Sequence, residues 1–351
     1  MRARRLRASL RGWGGVGAMA VVCALAVAFA LLLPAARSHG GAGAGAGGAH
    51  GGRGAAQGSQ TRAAQECEDP EKQTLSPSSE DGPTITTIKE RPGEKRKLIV
   101  GVDQNSYRWG YRDPNGGDDA ALEGFDIDLV RRIAEDILGD PDAVQFKAIP
   151  TDQRIPAIQD GRVDMVVRTM TINCDRIEDV AFSAPYFRSG QQLLAPKSSP
   201  ITGYDGTLAH KKICVAAGST AYSTLEAHRK TGRLVASADF STTVPNQLDC
   251  LVRLQLGEVD AVVTDTALAA SQAAQDPTVQ LKGKAFTTEY YGVAMKKDAD
   301  DLVRRVNRIL VDFRADEANG WQASYDKWLS ATLGDDETTS EPPAPEYLRK
   351  S

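Results

Sequence analysis

Arg176 leads the residues that could do chemistry in this sequence. Its planar guanidinium can grip a carboxylate through two parallel hydrogen bonds. It could equally sit at the surface, paired with Asp175, Glu178 or Asp179. Just upstream, Thr169 and Thr171 alternate, so while the chain stays extended both face the same side and can offer hydroxyls or backbone N–H groups to one cleft. A plain strand-end cap is the other reading. Asp265 ends the apolar run that begins at Val259. A carboxylate there can meet a cation or cap the following helix. Gly218, Ser219 and Thr220 lie between a strand pattern and a helix pattern and read by themselves as a common turn and cap. Histidine is scarce: of four, only His210 and His228 fall in the body of the chain, and no His/Cys/Asp set has zinc-site spacing. That disfavours a histidine-dependent enzyme or a structural zinc module.

The elements that must position these residues repeat. Leu98–Val102 reads as a buried strand, and apolar residues at 125, 129, 130, 133, 134, 137 and 138 mark a helix that Gly139 stops. Val144–Ile149, a helix from Thr151 to Asp160, and Val163–Val167 complete one α/β unit. The same grammar restarts after Pro196: Ile213–Ala217 as strand, Ala221–Thr231 as helix, Leu234–Ala238 as a short strand, Val244–Leu256 as helix, Val259–Val263 as strand and Ala267–Ala274 as helix. Gly292–Met295 is a further strand, and Leu302–Phe313 and Gly320–Leu329 are helices. DGRVDMVV at 160–167 and LGEVDAVV at 256–263 occupy matching points of the two units. Two α/β domains with mainly parallel sheets place a ligand site at the carboxyl ends of the strands, in the crevice between them.

Outside this body the composition changes. Residues 1–36 carry five arginines and no acid, which leaves 37 bases against 46 acids in the rest of the 351 residues. So acidic a body is no nucleic-acid surface. The uncharged stretch 15–36 behind those arginines reads as a signal peptide or a retained N-terminal membrane anchor, putting the body on the outer face of the cytoplasmic membrane or in the cell-wall space. Ten of 33 glycines fall between Gly40 and Gly58. Residues 37–95 are therefore expected to be a Gly-rich tether and extended linker, and 334–351 a disordered Pro/acid tail. Four cysteines remain in the exported part, Cys67, Cys174, Cys214 and Cys250, which allow three connectivities if all are oxidised.

The blocks LIVGVDQNSYRWGYRD, EGFDIDLVRRIAEDILG, RIPAIQDGRVDMVVRTMTINCDRIEDVAFSAPYF, KKICVAAGST and LGEVDAVVTD resemble extracellular solute-binding proteins of family 3, the receptors of polar amino-acid ABC importers. The likeness is greatest to actinobacterial glutamate/glutamine-binding proteins and covers about residues 95–330. The resemblance implies a periplasmic-binding-protein type II fold of two α/β lobes with a two-strand hinge. Lobe 1 would span 96–194 plus 292–330 and lobe 2 198–289, with crossing strands near Leu193–Pro196 and Thr288–Gly292. It also assigns roles. Arg176 would clamp the ligand α-carboxylate, Asp265 would hold the α-ammonium, and Thr169, Thr171, Gly218, Ser219 and Thr220 would complete the site. Arg154, Arg168 and Arg108 occupy places suited to a second carboxylate, and Tyr107 and Trp109 offer an aromatic wall, so glutamate or aspartate is the expected ligand. The alternatives are an amide such as glutamine, which would leave a charge less well compensated, and a basic amino acid, which Asp103 and the acids at 112–119 could admit. Cys214 with Cys250 resembles a lobe 2 disulfide of the family, which leaves Cys67 with Cys174. The implied activity is reversible binding by a monomer, without catalysis, cofactor or metal, for delivery to an ABC permease. The rival readings are a membrane-tethered sensor with a signalling partner, an enzyme on the same scaffold such as a dehydratase or wall-lytic module, and a structural surface protein.

Overall fold

The computed structural model describes residues 67–117, 120–334 and 339–350. The expected signal or anchor at 1–36 and the Gly-rich part of the tether lie outside the described residues. Among the described residues no helix is long and apolar enough to cross a membrane.

Two five-stranded mixed sheets organise the chain. The first runs, in spatial order, Val144–Ala148, Leu98–Val102, Met165–Val166, Ala294–Lys296 and Val180–Phe182. Its first three strands are parallel, and Ala294–Lys296 is antiparallel to both its neighbours. Leu98, Val100 and Val102 are fully buried, as a continuous apolar run in a covered sheet requires. The helix Phe125–Leu138 lays the predicted apolar stripe on this sheet, and Gly139 ends it by donating to the Glu135 carbonyl. The second sheet runs Asp239–Val244, Lys212–Ala216, Ala261–Asp265, Gln191–Pro196 and Val279–Lys282. Here the first three strands are parallel and the last two antiparallel to their neighbours. An antiparallel ribbon, Phe187–Ser189 with Glu289–Tyr291, carries the chain between the two lobes.

Four expectations need correction. Leu193–Pro196 is no crossing strand: Leu193, Leu194 and Ala195 are fully buried and pair within the second sheet, so the crossing falls a few residues earlier, at the ribbon. Leu234–Ala238 joins no ladder. The strand there is Asp239–Val244, whose Phe240 and Val244 are buried between exposed polar positions. The linker does not stay extended to residue 95. Pro83–Lys89 is helical, and Leu75, Ile85 and Ile88 are buried in the first core against the helix Asp300–Ala315. Arg305 on that helix pairs with Asp81, and Asp301 accepts from the Ile85 N–H. The tail is not wholly loose either. Leu348 and Arg349 donate their N–H groups to the carbonyls of Lys72 and Thr74, and Arg349 pairs with Asp300 at 2.6 Å. Sparse apolar residues sufficed because each meets a surface already built by the lobe.

Both disulfides lie in the body, Cys214–Cys250 within the second lobe and Cys67–Cys174 between the N-terminal strap and the first. Cys174 opens the short helix Cys174–Asp179 that carries Arg176, so the strap is fixed two residues from that arginine.

Candidate functional site

Strand ends from both lobes and the ribbon converge on one buried polar region. Arg176 stands on its short helix because Asn173 caps the end, its side-chain oxygen accepting from the Arg176 N–H at 2.9 Å. The guanidinium turns back. It donates to the Thr171 carbonyl at 2.7 Å and, across the lobes, to the Gly218 carbonyl at 3.1 Å. Arg154, at the start of the helix Arg154–Gln159, donates to the carbonyls of Thr151, Arg168 and Gly218. Burial lowers the proton affinity of both arginines, and the nearby carboxylates oppose it, Glu289 and Asp265 at Arg176 and Asp265 and Asp103 at Arg154.

Facing them are Asp265, 7 % exposed, and Glu289, also 7 % exposed. Asp265 accepts from the Tyr291 hydroxyl at 2.6 Å and from the Gln191 amide, which also donates to Glu289 at 3.0 Å. Burial, and then the charge of Glu289, push the Asp265 carboxyl up to about 7. The region therefore sets two guanidinium groups against two carboxylates, so it offers both signs of charge within one buried space.

Thr169 and Thr171 are both buried. Thr169 takes φ +40°, a left-handed conformation unusual for a threonine. Asp126 holds it there by accepting its N–H at 3.0 Å while also accepting the Tyr186 hydroxyl at 2.8 Å. Burial raises Asp126 to about 7, against the pull of those two donors. Gly218 has φ +70°, and Ser219 caps the helix Thr220–Lys230 by accepting from the Tyr222 N–H. The Ser219 hydroxyl is thus committed to the cap.

Three further expectations do not fit the cleft. Arg168 is fully buried in an ion pair with Asp103 at 2.9 Å, and it donates to Thr151 Oγ1 and to Asn246 Oδ1 across the lobes. It fastens the lobes at one end, and its charge is cancelled by Asp103, the acid that had argued for a basic ligand. Arg108 reaches the Trp328 carbonyl at 3.0 Å and lies over the Tyr107 ring, directed at the C-terminal helices. Trp109 is fully buried, edge-on to Phe187 and Tyr291 in the first core, and so forms no cleft wall. Tyr107 packs edge-on against Tyr111, close to Leu248 and Leu268 of the second lobe.

Gln191, Glu289, Asp126, Tyr186 and Tyr291 were missed. Only Glu289 had a visible signal, as the acid in a hinge segment otherwise made of threonine, tyrosine and glycine.

The profile for bacterial extracellular solute-binding proteins, family 3, matches residues 98–331. The ABC transporter glutamine-binding protein GlnH of Bacillus subtilis is 34% identical over 246 residues, 70% of this chain and 84% of that protein. The glutamate-binding protein GluB of Corynebacterium glutamicum is 27% identical over 266 residues, 72% of this chain and 83% of that protein. Among solved structures, an ancestral arginine-binding protein bound to glutamine superposes with TM-score 0.58 at 32% identity, covering 68% of this chain and 98% of the other. An arginine-binding protein mutant from T. maritima superposes with TM-score 0.62 at 26% identity, covering 71% and 100%.

Proposed function

The chain belongs to the bacterial extracellular solute-binding proteins, family 3, non-catalytic receptors that bind a polar amino acid for ABC import, and within that function we propose that its ligand is a neutral polar amino acid, glutamine foremost. The observation that carries this is the charge balance of the cleft. Of the arginines expected to receive a second carboxylate, Arg168 is neutralised by Asp103 and Arg108 is directed elsewhere. Arg154 and Arg176 then face Asp265 and Glu289, so a net-neutral ligand leaves the buried charges balanced and glutamate adds one. In this reading Arg176 grips the α-carboxylate, Asp265 holds the α-ammonium, and the lobes close over both. The glutamine-binding relative from Bacillus subtilis supports it.

Glutamate is the second reading. It is favoured by Arg154, which donates only to carbonyl oxygens and stays available to a second carboxylate. Calorimetric titration of the full-length protein with each of the twenty amino acids tests both. L-glutamine should bind more tightly than L-glutamate, and the reverse order would restore the acidic assignment. Delivery to an ABC permease from an anchored or secreted position is proposed with it. Amino-acid uptake by a strain carrying a deletion of this chain should fall; unchanged uptake would favour the sensor reading.

A further inference from the structure

The ribbon between the lobes brings one carboxylate into contact with both of them. Glu289 opens the strand Glu289–Tyr291. Its Oε2 accepts the Thr171 hydroxyl at 2.6 Å and the Thr220 hydroxyl at 2.9 Å, and its Oε1 accepts the Gln191 amide at 3.0 Å. Thr171 belongs to the first lobe and bridges the ribbon at Tyr291. Thr220 begins the helix Thr220–Lys230 of the second lobe, and Gln191 begins a strand of the second sheet. A carboxylate oxygen has room for two donors, so Oε2 accommodates one hydroxyl from each lobe. Both can reach it only while the lobes are together.

We propose that Glu289 is a positioning residue that couples closure to ligand capture: with the lobes together it fixes Thr171, Thr220 and, through Gln191, Asp265 around the amino acid, and on opening it must release at least one of them. The Gln191 amide is the physical link, since its second N–H donates to Asp265. The crossing chains leave it little slack. A Cβ on Gly190, the residue before Gln191, would fall 2.1 Å from the Thr287 carbonyl oxygen. Movement of the ribbon is therefore passed on to Gln191. The groups that face Asp265 are Glu289, Tyr291, Gln191, Arg154 and Arg176, so removing the charge of Glu289 changes the proton affinity of the ammonium acceptor as well as the threonine positions.

This inference rests on the amino-acid reading, and the experiment separates the two. L-glutamine is titrated into the full-length protein and into Glu289→Gln across a pH series. Affinity should fall about tenfold or more in the variant, because hydrogen bonds to a charged acceptor are lost, and the pH midpoint of binding should move down. Thr220→Val should weaken binding in the wild-type background and add less than about twofold in the Glu289→Gln background, since the two act through one contact. Unchanged affinity and midpoint, or fully additive effects, would overturn the proposal. Should Glu289→Gln not fold, Thr220→Val alone must speed ligand dissociation, and an unchanged rate counts against the coupling. If the wild type binds none of the twenty amino acids, the ligand reading fails, and Glu289 is tested by the interlobe distance between paired labels: Glu289→Gln must open the molecule, and an unchanged distance overturns the role.

Discussion

Arg168 and Arg176 lie eight residues apart, both are buried, and they do opposite things. Arg168 has its counter-charge in the chain, with Asp103 at 2.9 Å, and its two terminal nitrogens also donate to oxygens of Thr151 and Asn246. Arg176 is met by two backbone carbonyls, and among the described residues no carboxylate lies in ion-pair contact with it. A buried guanidinium that already has its carboxylate is a fastening. One held only by carbonyl dipoles keeps the capacity to take a carboxylate from outside. Arg176→Ala should therefore abolish measurable L-glutamine binding, a loss of about 3 kcal/mol or more, while the thermal midpoint of the unliganded protein scarcely moves. Calorimetry and a melting curve on the same sample check it. Binding that survives in Arg176→Ala would end the contrast.

The other half of the contrast predicts the reverse. Arg168→Met leaves Asp103 buried without its partner, which should lower unfolding stability by about 3 kcal/mol. The loss is softened because Asp103 keeps the Ser106 hydroxyl and the N–H groups of Gln104 and Asn105. Adding Asp103→Asn should restore much of the stability, as read from urea midpoints. If Arg168→Met keeps full stability yet loses the ligand, Arg168 belongs in the site and the two ends of the cleft are alike.

That difference could not be read from the sequence, for a physical reason. The helix Phe125–Leu138 and the strand Leu98–Val102 announce themselves because burial of one stripe or one run is a local pattern. Asp103 and Arg168 meet only after the sheet has formed, so either arginine looked equally suited to a ligand. Gln191 and Glu289 are likewise ordinary polar residues until the ribbon brings both chain crossings together. Ile85 and Ile88 were too few to signal a core, yet they are buried because the helix Asp300–Ala315 supplies the rest of it. Asp239–Val244 was missed because its alternation rests on threonines between only two buried apolar residues, while the denser Leu234–Ala238 drew the strand assignment.

The carboxylates sharpen the comparison through pH. Burial and then the charge of Glu289 push Asp265 up to about 7, and in the proposed pose the ligand ammonium needs it ionised. Proton and ligand compete, so affinity should fall toward tenfold per pH unit below about 7 and level off above it. Stability of the unliganded protein should move the other way. A carboxyl that holds its proton more tightly folded than unfolded adds stability at acid pH, and that contribution is lost as pH rises from the ordinary carboxylate range to about 7. Asp126, also at about 7, should contribute to this stability slope. It should contribute less to the binding slope than Asp265, because its own contacts are Thr169 and Tyr186 and it has none with Asp265. Asp265→Asn should flatten the pH dependence of whatever binding remains. A slope that persists would move the ammonium partner to Glu289.

The smallest effect we predict concerns closure itself. Gly218 lends its carbonyl to Arg176 and Arg154, and a Cβ there would lie 2.8 Å from the Asp152 Cα of the opposite lobe. Gly257 shares the same φ of +70° but has nothing within 4 Å of its virtual Cβ. Alanine at either site carries backbone strain of about 1 kcal/mol, so both variants should lose similar stability. Only Gly218→Ala also obstructs the closed form, because backbone is in the way and cannot yield as a flexible side chain would. Its ligand should dissociate about tenfold faster, an extra closed-state penalty of order 1 kcal/mol, while Gly257→Ala releases ligand at the wild-type rate. Stopped-flow dissociation of L-glutamine reads the difference. Equal rates in the two variants would mean that Gly218 is a turn residue only, and that the Arg176 end of the cleft does not depend on the close approach of the lobes.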